Sequence, residues 1–205
     1  MARLVDLAAH AIRPIASGIR LFMRPALRLW RLASLRSQTK GSIPVTTQFD
    51  GPVTALGRGE VRLGANCRLG RDVLFDTSEG GKIELGNRVR VNSGGVIVAN
   101  VRITIGDDTL IGEYVSIRDA NHGSASGDLI RTQALIAAEI SVGRDVWIGR
   151  GCCLLAGITI GNGAVVGANS VVTRDVPSNS IYAGVPAKQI GSRTPGTTAC
   201  LTIPT

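Results

Sequence analysis

A six-residue period is the feature of this sequence that most restricts its fold. From residue 63 to residue 172, aliphatic or aromatic side chains recur six residues apart in groups of three, with a few interruptions. Three such positions form one coil with three short faces, and a single coil cannot bury its own apolar layer, so coils must stack. The spacing predicts a three-sided solenoid with these side chains inside: Leu63, Leu69, Phe75, Leu85, Val91, Ile97, Ile105, Ile111, Ile117, Val142, Ile148, Leu154, Ile160, Val166 and Val172.

Two further positions of the repeat support this interpretation. Glycine often follows the inward residue, and tight corners with positive φ favour glycine or asparagine, so we expect these glycines at the corners. Aromatic residues make up only 3% of the chain, which does not fit a core of large rings. A second inward position, four residues after the first, holds small or branched side chains: Cys67, Val73, Val89, Val101, Thr109, Val115, Val146, Cys152, Ile158, Ala164, Ser170 and Val176.

Interruptions of the period indicate where the chain leaves the solenoid. The period slips by four residues at Glu79–Lys82 and by two near Arg102–Thr104, and it breaks between Ile117 and Val142. Residues 123–138 are therefore expected to form one extruded loop, and long loops on rigid scaffolds often carry function. The predicted organisation is a helical N-terminal arm (residues 1–40), a β-helix domain (41–190) and a flexible tail (191–205).

Most of the net charge of +8 lies in the N-terminal arm. Residues 1–40 hold eight basic side chains and one acidic one, a net +7, which leaves +1 on the rest of the chain. The nearly neutral body gives no indication of nucleic-acid binding. Pro14 and Pro25 divide the arm into short helices. On a helical wheel, Arg13, Arg20, Arg24, Arg28 and Arg31 lie opposite Ile12, Ile15, Ile19, Phe22, Ala26, Trp30 and Ala33.

Two interpretations of this amphipathic arm stay open. Residues 12–36 suit the surface of an anionic membrane, because an apolar face with Trp and Phe lies opposite an arginine face. Alternatively, the apolar face covers the open end of the β-helix or packs in an oligomer, and the arginines are solvated. The sequence has no apolar run long enough to span a bilayer, and we expect a cytoplasmic protein, peripheral on the inner face of the membrane.

The cysteines do not indicate a metal site or a disulfide framework. Cys67, Cys152, Cys153 and Cys200 have no CxxC spacing and no nearby histidines, so no metal is expected. Cys67 and Cys152 fall on inward positions, where a thiol acts as a small apolar side chain.

His122 is the candidate catalytic residue. It lies in the run Asp119-Ala120-Asn121-His122, where a coil ends and the extruded loop begins. Imidazole can accept a proton near neutral pH, which acyl transfer from a thioester to a hydroxyl requires. No nucleophilic serine or cysteine motif accompanies it, so direct attack by the acceptor is expected. Either Asp119 or a backbone carbonyl is expected to orient the ring.

Residues 57–190 resemble the maltose, galactoside and polysaccharide O-acetyltransferases of the hexapeptide-repeat family. The resemblance rests on Val146–Gly149, Gly157–Gly161, Gly167–Pro177 and Ala183–Lys188. It implies a left-handed parallel β-helix, acetyl-CoA as the acyl donor, a homotrimer with each site between adjacent subunits, and a catalytic base at His122. It also implies a donor site with Trp147 and Arg150 beside the pantetheine arm, Ala168, Thr173 and Arg174 in the groove, and Lys188 near the phosphates.

The same resemblance implies two acceptor-site residues, Asn92 and Ser78. Asn92 aligns with a family asparagine that contacts the acceptor or the oxyanion, and Ser78 lies near a family acceptor serine. In the loop, Arg131 and Gln133 are expected either to contact the acceptor or a neighbouring subunit, or to be solvated. Asn100 stands where the sugar-specific enzymes have Asp, and their N-terminal helical acceptor module is absent, so simple maltose or galactoside specificity is not implied.

The expected function is O-acetylation of a sugar hydroxyl in cell-surface polysaccharide, lipopolysaccharide or glycolipid synthesis. The basic arm is the reason for preferring a surface glycan to a free sugar. N-acylation of an amino sugar or acylation of an antibiotic stays open, as does a non-catalytic trimeric scaffold docked to a membrane. His122 favours O-transfer, because a hydroxyl needs more help from a base than a free amine does.

Overall fold

Three stacks of parallel strands form the body of the protein in a computed structural model that describes residue 23 and residues 25–194. Each coil contributes one strand to each stack, so the expected all-β parallel solenoid is confirmed. The left hand of the helix stays an implication of the family resemblance. Sheet A contains β1 (Gln48–Phe49), β4 (Arg68–Leu69), β7 (Arg90–Val91), β10 (Leu110–Ile111), β15 (Trp147–Ile148), β18 (Val165–Val166), β20 (Ser180–Gly184) and β21 (Ala187–Ser192).

The other two stacks follow the same order along the axis. Sheet B contains β2 (Val53–Gly57), β5 (Val73–Thr77), β8 (Val96–Val98), β11 (Ser116–Arg118), β16 (Cys153–Leu154) and β19 (Val171–Val172). Sheet C contains β3 (Glu60–Leu63), β6 (Lys82–Leu85), β9 (Arg102–Ile105), β14 (Ile140–Val142) and β17 (Thr159–Ile160). We call the three corners of the prism the AB, BC and CA edges, after the sheets that meet there.

The core follows the six-residue period. All 15 residues predicted at the first inward position are buried. At the second inward position, the prediction that Val101 is buried is wrong. Val101 is 42% exposed, and Ala99 and Ile103 are buried in its place. The cause is the two-residue slip, because the longer corner carries Val101 out of the prism before β9 re-enters the ladder.

The glycines that follow the inward residues do not have the positive φ that we expected at the corners. Positive φ occurs two positions later, for example at Asn66 after Gly64 and at Asn169 after Gly167. These glycines are instead required because successive coils approach closely. A Cβ on Gly149 would lie 2.6 Å from the backbone nitrogen of Ala168 in the next coil, a separation that real structures do not contain.

Corner insertions accumulate on the BC edge. The slip at Glu79–Lys82, the slip near Arg102–Thr104 and the extruded loop all fall between a sheet B strand and the following sheet C strand. Since they occur in successive coils, the three lengthened corners stack on one another. This stacking leaves a recess on the BC edge.

A helix over residues 25–38 covers the first coil. Leu32 and Leu35 are buried in the core of the solenoid. Arg28 donates to the backbone carbonyls of Val45 and Thr47, and Arg36 donates to that of Ile43 at 2.9 Å. The helix therefore caps the open end of the prism, since it satisfies carbonyls that a preceding coil would have used.

This cap corrects the predicted faces of the arm. The arginines of the capping alternative were expected in solvent, yet Arg28 and Arg36 bind the solenoid. Trp30, assigned to the packing face, is 66% exposed. The rest of the amphipathic stretch, residues 12–22 and Arg24, lies outside the described residues. Within the described part of the chain, no helix is long and apolar enough to cross a membrane.

The described chain ends later than the predicted domain boundary. The final strand β21 pairs antiparallel with β20 and runs to Ser192, not to residue 190. Arg193 then bonds to the Asp145 carboxylate at 3.0 Å and to the carbonyl oxygen of Gly163 at 2.9 Å. Residues 191–193 are thus part of the solenoid, and residues 195–205 of the predicted tail lie outside the described residues.

Candidate active site

The recess on the BC edge is a cleft with a volume of about 390 Å³ that contains His122. Its walls come from the three lengthened corners and the ends of the sheet B strands before them, and Leu135 on the extruded loop also lines it. The cleft therefore joins three sequence regions that lie up to 60 residues apart: Asp76, Ser78, Glu79, Val98, Asn100, Arg118, Ala120, Asn121, His122 and Leu135.

A short hairpin carries His122. Strand β12 (Ala120–His122) pairs antiparallel with β13 (Leu135–Ala137), and a 3₁₀ turn at Ile130–Thr132 lies between them. The His122 side chain is exposed, and it has no hydrogen bond to any other residue in the described ranges. Both ring nitrogens of His122 are thus available to bind a substrate in the cleft.

Gln133 has a structural part in this loop. Its side-chain oxygen accepts from the backbone N–H of Ala125 at 2.8 Å, and its nitrogen donates to the carbonyls of Ala125 and Asp128. These bonds fold the loop upon itself. Both polar atoms of the Gln133 side chain are therefore bonded within the loop and not to an acceptor. Arg131 lies exposed on the 3₁₀ turn and does not line the cleft of its own chain.

Asp119 does not contact the imidazole that it was expected to orient. Its carboxylate is fully buried and accepts three backbone N–H bonds, from Asn100 at 2.7 Å and from Val101 and Arg102 at 2.8 Å each. All of its acceptor oxygens point to the preceding coil. The ring-orienting role is therefore corrected: these contacts hold a corner of the cleft.

Ser78, which the resemblance suggests is near the acceptor, lines the cleft. Its hydroxyl donates to the Asp76 carboxylate at 2.5 Å, and its backbone N–H donates to the same oxygen at 2.9 Å. Arg118 also lines the cleft, two coils from Asp76 in the same ladder, with its Nε 3.3 Å from the Ser116 hydroxyl. No carboxylate of the described residues pairs with Arg118, so the guanidinium has free donors that face the cleft.

Asn92 lies on the AB edge, not in the cleft with His122. Its side-chain oxygen accepts from Nε of Arg90 at 3.0 Å, and its amide nitrogen donates to Glu113 at 2.9 Å. These two bonds fix which way the amide faces, and they leave its second N–H available. Within one chain, the width of sheet B separates Asn92 from His122.

The predicted donor residues are divided between the same two edges. Trp147 is on the outer face of sheet A and 48% exposed, and Ala168 follows β18 on the AB edge. Arg150 stacks over the Tyr114 ring at 5.7 Å on that edge. By contrast, the exposed Thr173 and Arg174 follow β19 on the BC edge, the edge of His122, and Lys188 is exposed on β21.

A cysteine nucleophile has no support at this site. Burial raises the pKa of the Cys67 and Cys152 thiols, so the reactive thiolate is disfavoured at both. Cys153 is half-buried on the outer face of sheet B and does not line the cleft. Among the described residues no group of three or more His, Cys, Asp and Glu side chains is arranged to hold a metal ion.

Three polar residues of these two edges were not predicted from the sequence. Asp76 and Arg118 occupy outward positions of sheet B strands, and period-two alternation next to Ser78 and Asp119 was the signal for them. Glu113 stacks one coil above Asn92, a relation visible only once the coil length is known.

Known proteins match this chain over most of the solenoid. Residues 139–174 match the family model described as bacterial transferase hexapeptide (six repeats). A protein of Escherichia coli (strain K12), provisionally named lipopolysaccharide biosynthesis O-acetyl transferase WbbJ, is 39% identical over 140 residues, which cover 64% of this chain and 71% of that protein. The galactoside O-acetyltransferase of the same organism is 34% identical over 128 residues, or 62% of each chain.

A solved structure resembles the fold over a larger share of the chain. It is the hexapeptide-repeat-containing acetyltransferase of Vibrio cholerae O1 biovar eltor, complexed with acetyl coenzyme A. The two structures superpose with a TM-score of 0.55 at 27% identity, and the match covers 89% of this chain and 87% of the other.

Proposed function

Because the chain belongs to the hexapeptide-repeat acetyltransferases, whose acyl donor is acetyl-CoA, we propose that it acetylates a sugar hydroxyl and that His122 is the general base. The observation that carries this proposal is the cleft on the BC edge, where an unpaired imidazole meets serine, asparagine and arginine side chains. Such groups hydrogen-bond the hydroxyls of a sugar.

Four residues of the two edges have separate tasks in this proposal. Acetyl-CoA supplies the thioester carbonyl that the acceptor oxygen attacks directly. His122 removes the proton of that hydroxyl as the new C–O bond forms, and returns it to the sulfur as the C–S bond breaks. Ser78 and Asn100 orient the acceptor ring, and Asn92 donates its free N–H to the acceptor or to the developing oxyanion.

The donor-site residues suit coenzyme A. Arg150, Arg174 and Lys188 are exposed cations, and guanidinium and ammonium groups bind phosphate through charge-assisted hydrogen bonds. Trp147 offers a half-exposed apolar surface to the pantetheine arm. Because these residues lie on two different edges, no single chain brings them together around one donor molecule.

A threefold assembly around sheet B resolves this separation. If three prisms face a common axis with sheet B, the AB edge of each meets the BC edge of the next. The proposed site then combines His122 of one chain with Asn92, Trp147 and Arg150 of the partner subunit. The loop with Arg131 extends from the BC edge and is the segment of one copy that reaches its neighbour.

The composition of the sheet faces supports sheet B as the interface. A ladder of outward side chains on sheet B is half-buried and small or apolar: Leu74, Val96, Ser116, Cys153 and Val171. The outer face of sheet C is charged, with Arg62 paired to Glu60 and Arg102 paired to Glu84. Interface cores are depleted in charge, so sheet B suits a buried contact and sheet C suits solvent.

The acceptor in this proposal is a precursor of a cell-surface polysaccharide, lipopolysaccharide or glycolipid. Support comes from the similarity to the lipopolysaccharide O-acetyltransferase-like protein of E. coli and from the N-terminal segment. The capping helix places Leu27 and Trp30 on its exposed side, and the arm carries most of the net positive charge of the chain. We place the protein in the cytoplasm, on the inner face of a membrane that holds a lipid-linked acceptor.

The test is acceptor-dependent release of coenzyme A, measured by chromatography because the protein has thiols of its own. The wild type is incubated with acetyl-CoA and a panel of neutral sugars, uronic acids, amino sugars and glycolipids. His122→Ala is expected to lower kcat by about 10²-fold or more with acetyl-CoA affinity unchanged, because only the proton transfer is lost.

The other histidine provides the control. His10→Ala is expected to keep the wild-type rate, since His10 belongs to the arm. A rate for His122→Ala within about threefold of the wild type would overturn the assignment of the base. If only amines are acetylated, the hydroxyl acceptor is wrong.

A further inference from the structure

We propose that Asp119 is a positioning residue that fixes the geometry of the cleft by clamping the corner of the preceding coil to the root of the His122 hairpin. Its effect on catalysis rests on the function proposed above, whereas the clamp itself is a property of the free protein. The proposal assigns Asp119 a task distinct from ring orientation, because its oxygens are used elsewhere.

The clamp consists of five hydrogen bonds from one residue. Three backbone N–H groups, of Asn100, Val101 and Arg102, donate to the carboxylate. The backbone N–H of Asp119 donates to Val98 at 3.3 Å, and its carbonyl accepts from Ala138 at 2.8 Å. Asp119 thus joins the preceding coil to both ends of the extruded loop.

The lengthened corner explains why an anion is needed there. The two-residue insertion takes the N–H groups of Asn100 and Val101 out of the ladder of coil-to-coil hydrogen bonds, although the Val101 carbonyl still accepts from Lys82 at 3.0 Å. Together with the N–H of Arg102, these groups converge on the Asp119 carboxylate. Successive backbone N–H groups of this kind form an anion-binding concavity. No Lys or Arg of the described residues pairs with Asp119, so the backbone amides alone compensate the buried charge.

Other acidic residues of the solenoid bind the neighbouring coil less extensively. Asp175, also on the BC edge, accepts one backbone N–H, that of Thr159 at 2.7 Å. Asp107, on the CA edge, accepts one from Asn87 at 2.8 Å. Asp119 accepts three backbone N–H bonds. They hold a corner that both lines the cleft and supports the hairpin of His122.

The consequence for the site is a fixed relation between Asn100 and His122. Asn100 is held by the carboxylate, and His122 follows Asp119 by three residues on β12. Loss of the clamp frees the corner and the hairpin to move independently. A displacement of about 1 Å in a catalytic constellation can lower the rate about 10²-fold.

Asp119→Asn tests the clamp, because the amide keeps the size of the side chain but presents an NH₂ group to N–H donors. We expect hydrogen exchange at the amides of Asn100, Val101 and Arg102 to accelerate by about tenfold or more. We also expect kcat to fall by about 10- to 100-fold and the acceptor KM to rise, with acetyl-CoA affinity within about twofold of the wild type.

The matched control is Asp107→Asn, which alters the same kind of carboxylate-to-backbone bond on the CA edge, away from both site edges. It is expected to lower stability without a change in kcat or acceptor KM. A merely structural Asp119 would behave in the same way, and that result would overturn the proposal. A parallel loss of acetyl-CoA affinity in Asp119→Asn would overturn it too.

Exchange in the wild type keeps the clamp testable if Asp119→Asn does not fold. The amides of Asn100, Val101 and Arg102 are expected to exchange about 10²-fold or more slowly than that of Gly127 at the loop tip. Equal rates would contradict the clamp. Because exchange needs no substrate, failure of the clamp is distinguishable from failure of the acetyltransfer proposal.

Discussion

At the scale of single residues, carboxylates stabilise the corners by hydrogen bonds and ion pairs. The backbone N–H of Asn87, which donates to Asp107, holds the pKa of that carboxyl below its usual range. The hydrogen bond from Arg88 does the same to the pKa of Asp108, and that from Arg68 to the pKa of Asp50. A folded-state pKa below the unfolded value means that the ionised carboxylate stabilises the fold.

Asp107→Asn should therefore lose part of the dependence of stability on acid pH. The contribution of Asp107 is fully present above its unfolded-state pKa, about 4, and is lost as the pH falls through the lower folded-state value. The difference in free energy of unfolding between wild type and variant should be largest above pH 4 and shrink below it. Urea unfolding at a series of pH values measures this, and a difference that grows on acidification would contradict it.

Most core residues could be predicted from the sequence because the six-residue period acts on each coil independently. The prediction failed where a local contact overrides the period. Val101 is exposed because its corner is lengthened, and the shape of that corner depends on Asp119 in the next coil. Nothing in the run Asp119–His122 indicates that its carboxylate faces away from the histidine.

At the scale of elements, the capping helix is amphipathic, but its packed face is not the face that was predicted. Helical periodicity identifies two faces, but it does not say which one packs when the surface beneath offers unpaired carbonyls. Here Leu32, Leu35 and the arginine donors pack on the first coil, and Trp30 faces outward. The helix therefore contributes both a cap for the solenoid and an apolar surface.

Two variants of this helix should distinguish its contribution to stability from the proposed contact with a membrane. Leu35→Ala is expected to lower the free energy of unfolding by about 2–5 kcal/mol, because Leu35 is fully buried. Trp30→Ala should change it by less than about 0.5 kcal/mol and weaken binding to vesicles of equal parts phosphatidylcholine and phosphatidylglycerol. Denaturant unfolding and vesicle sedimentation measure the two effects, and unaltered vesicle binding of Trp30→Ala would contradict the membrane contact.

The extruded loop could be located from the sequence but not built from it. The break in the period gave its position, and the structure adds the β12–β13 pairing that carries His122. Beyond that pairing, Gln133 bonds to Ala125 and Asp128 across the loop. A single glutamine in a polar stretch gives no sign of such a task.

At the scale of the whole molecule, the candidate site lies on two edges of one prism. His122, Ser78 and Arg174 are on the BC edge, and Asn92 and Arg150 are on the AB edge. The motifs that carry these residues are visible in the sequence, but their division between edges follows only from the coil geometry. The proposed threefold assembly around sheet B would bring them together.

The measurement that tests this account most directly is recovery of acetyl transfer from a mixture of two inactive variants. His122→Ala lacks the base but keeps the AB edge, whereas Asn92→Ala keeps His122. When the two are unfolded, mixed in equal amounts and refolded, about one quarter of the sites in random trimers should combine an intact BC edge with an intact AB edge. We predict coenzyme A release at about that fraction of the wild-type rate. Release that stays at the level of the separate variants, from a mixture that forms trimers, would contradict a site shared between copies.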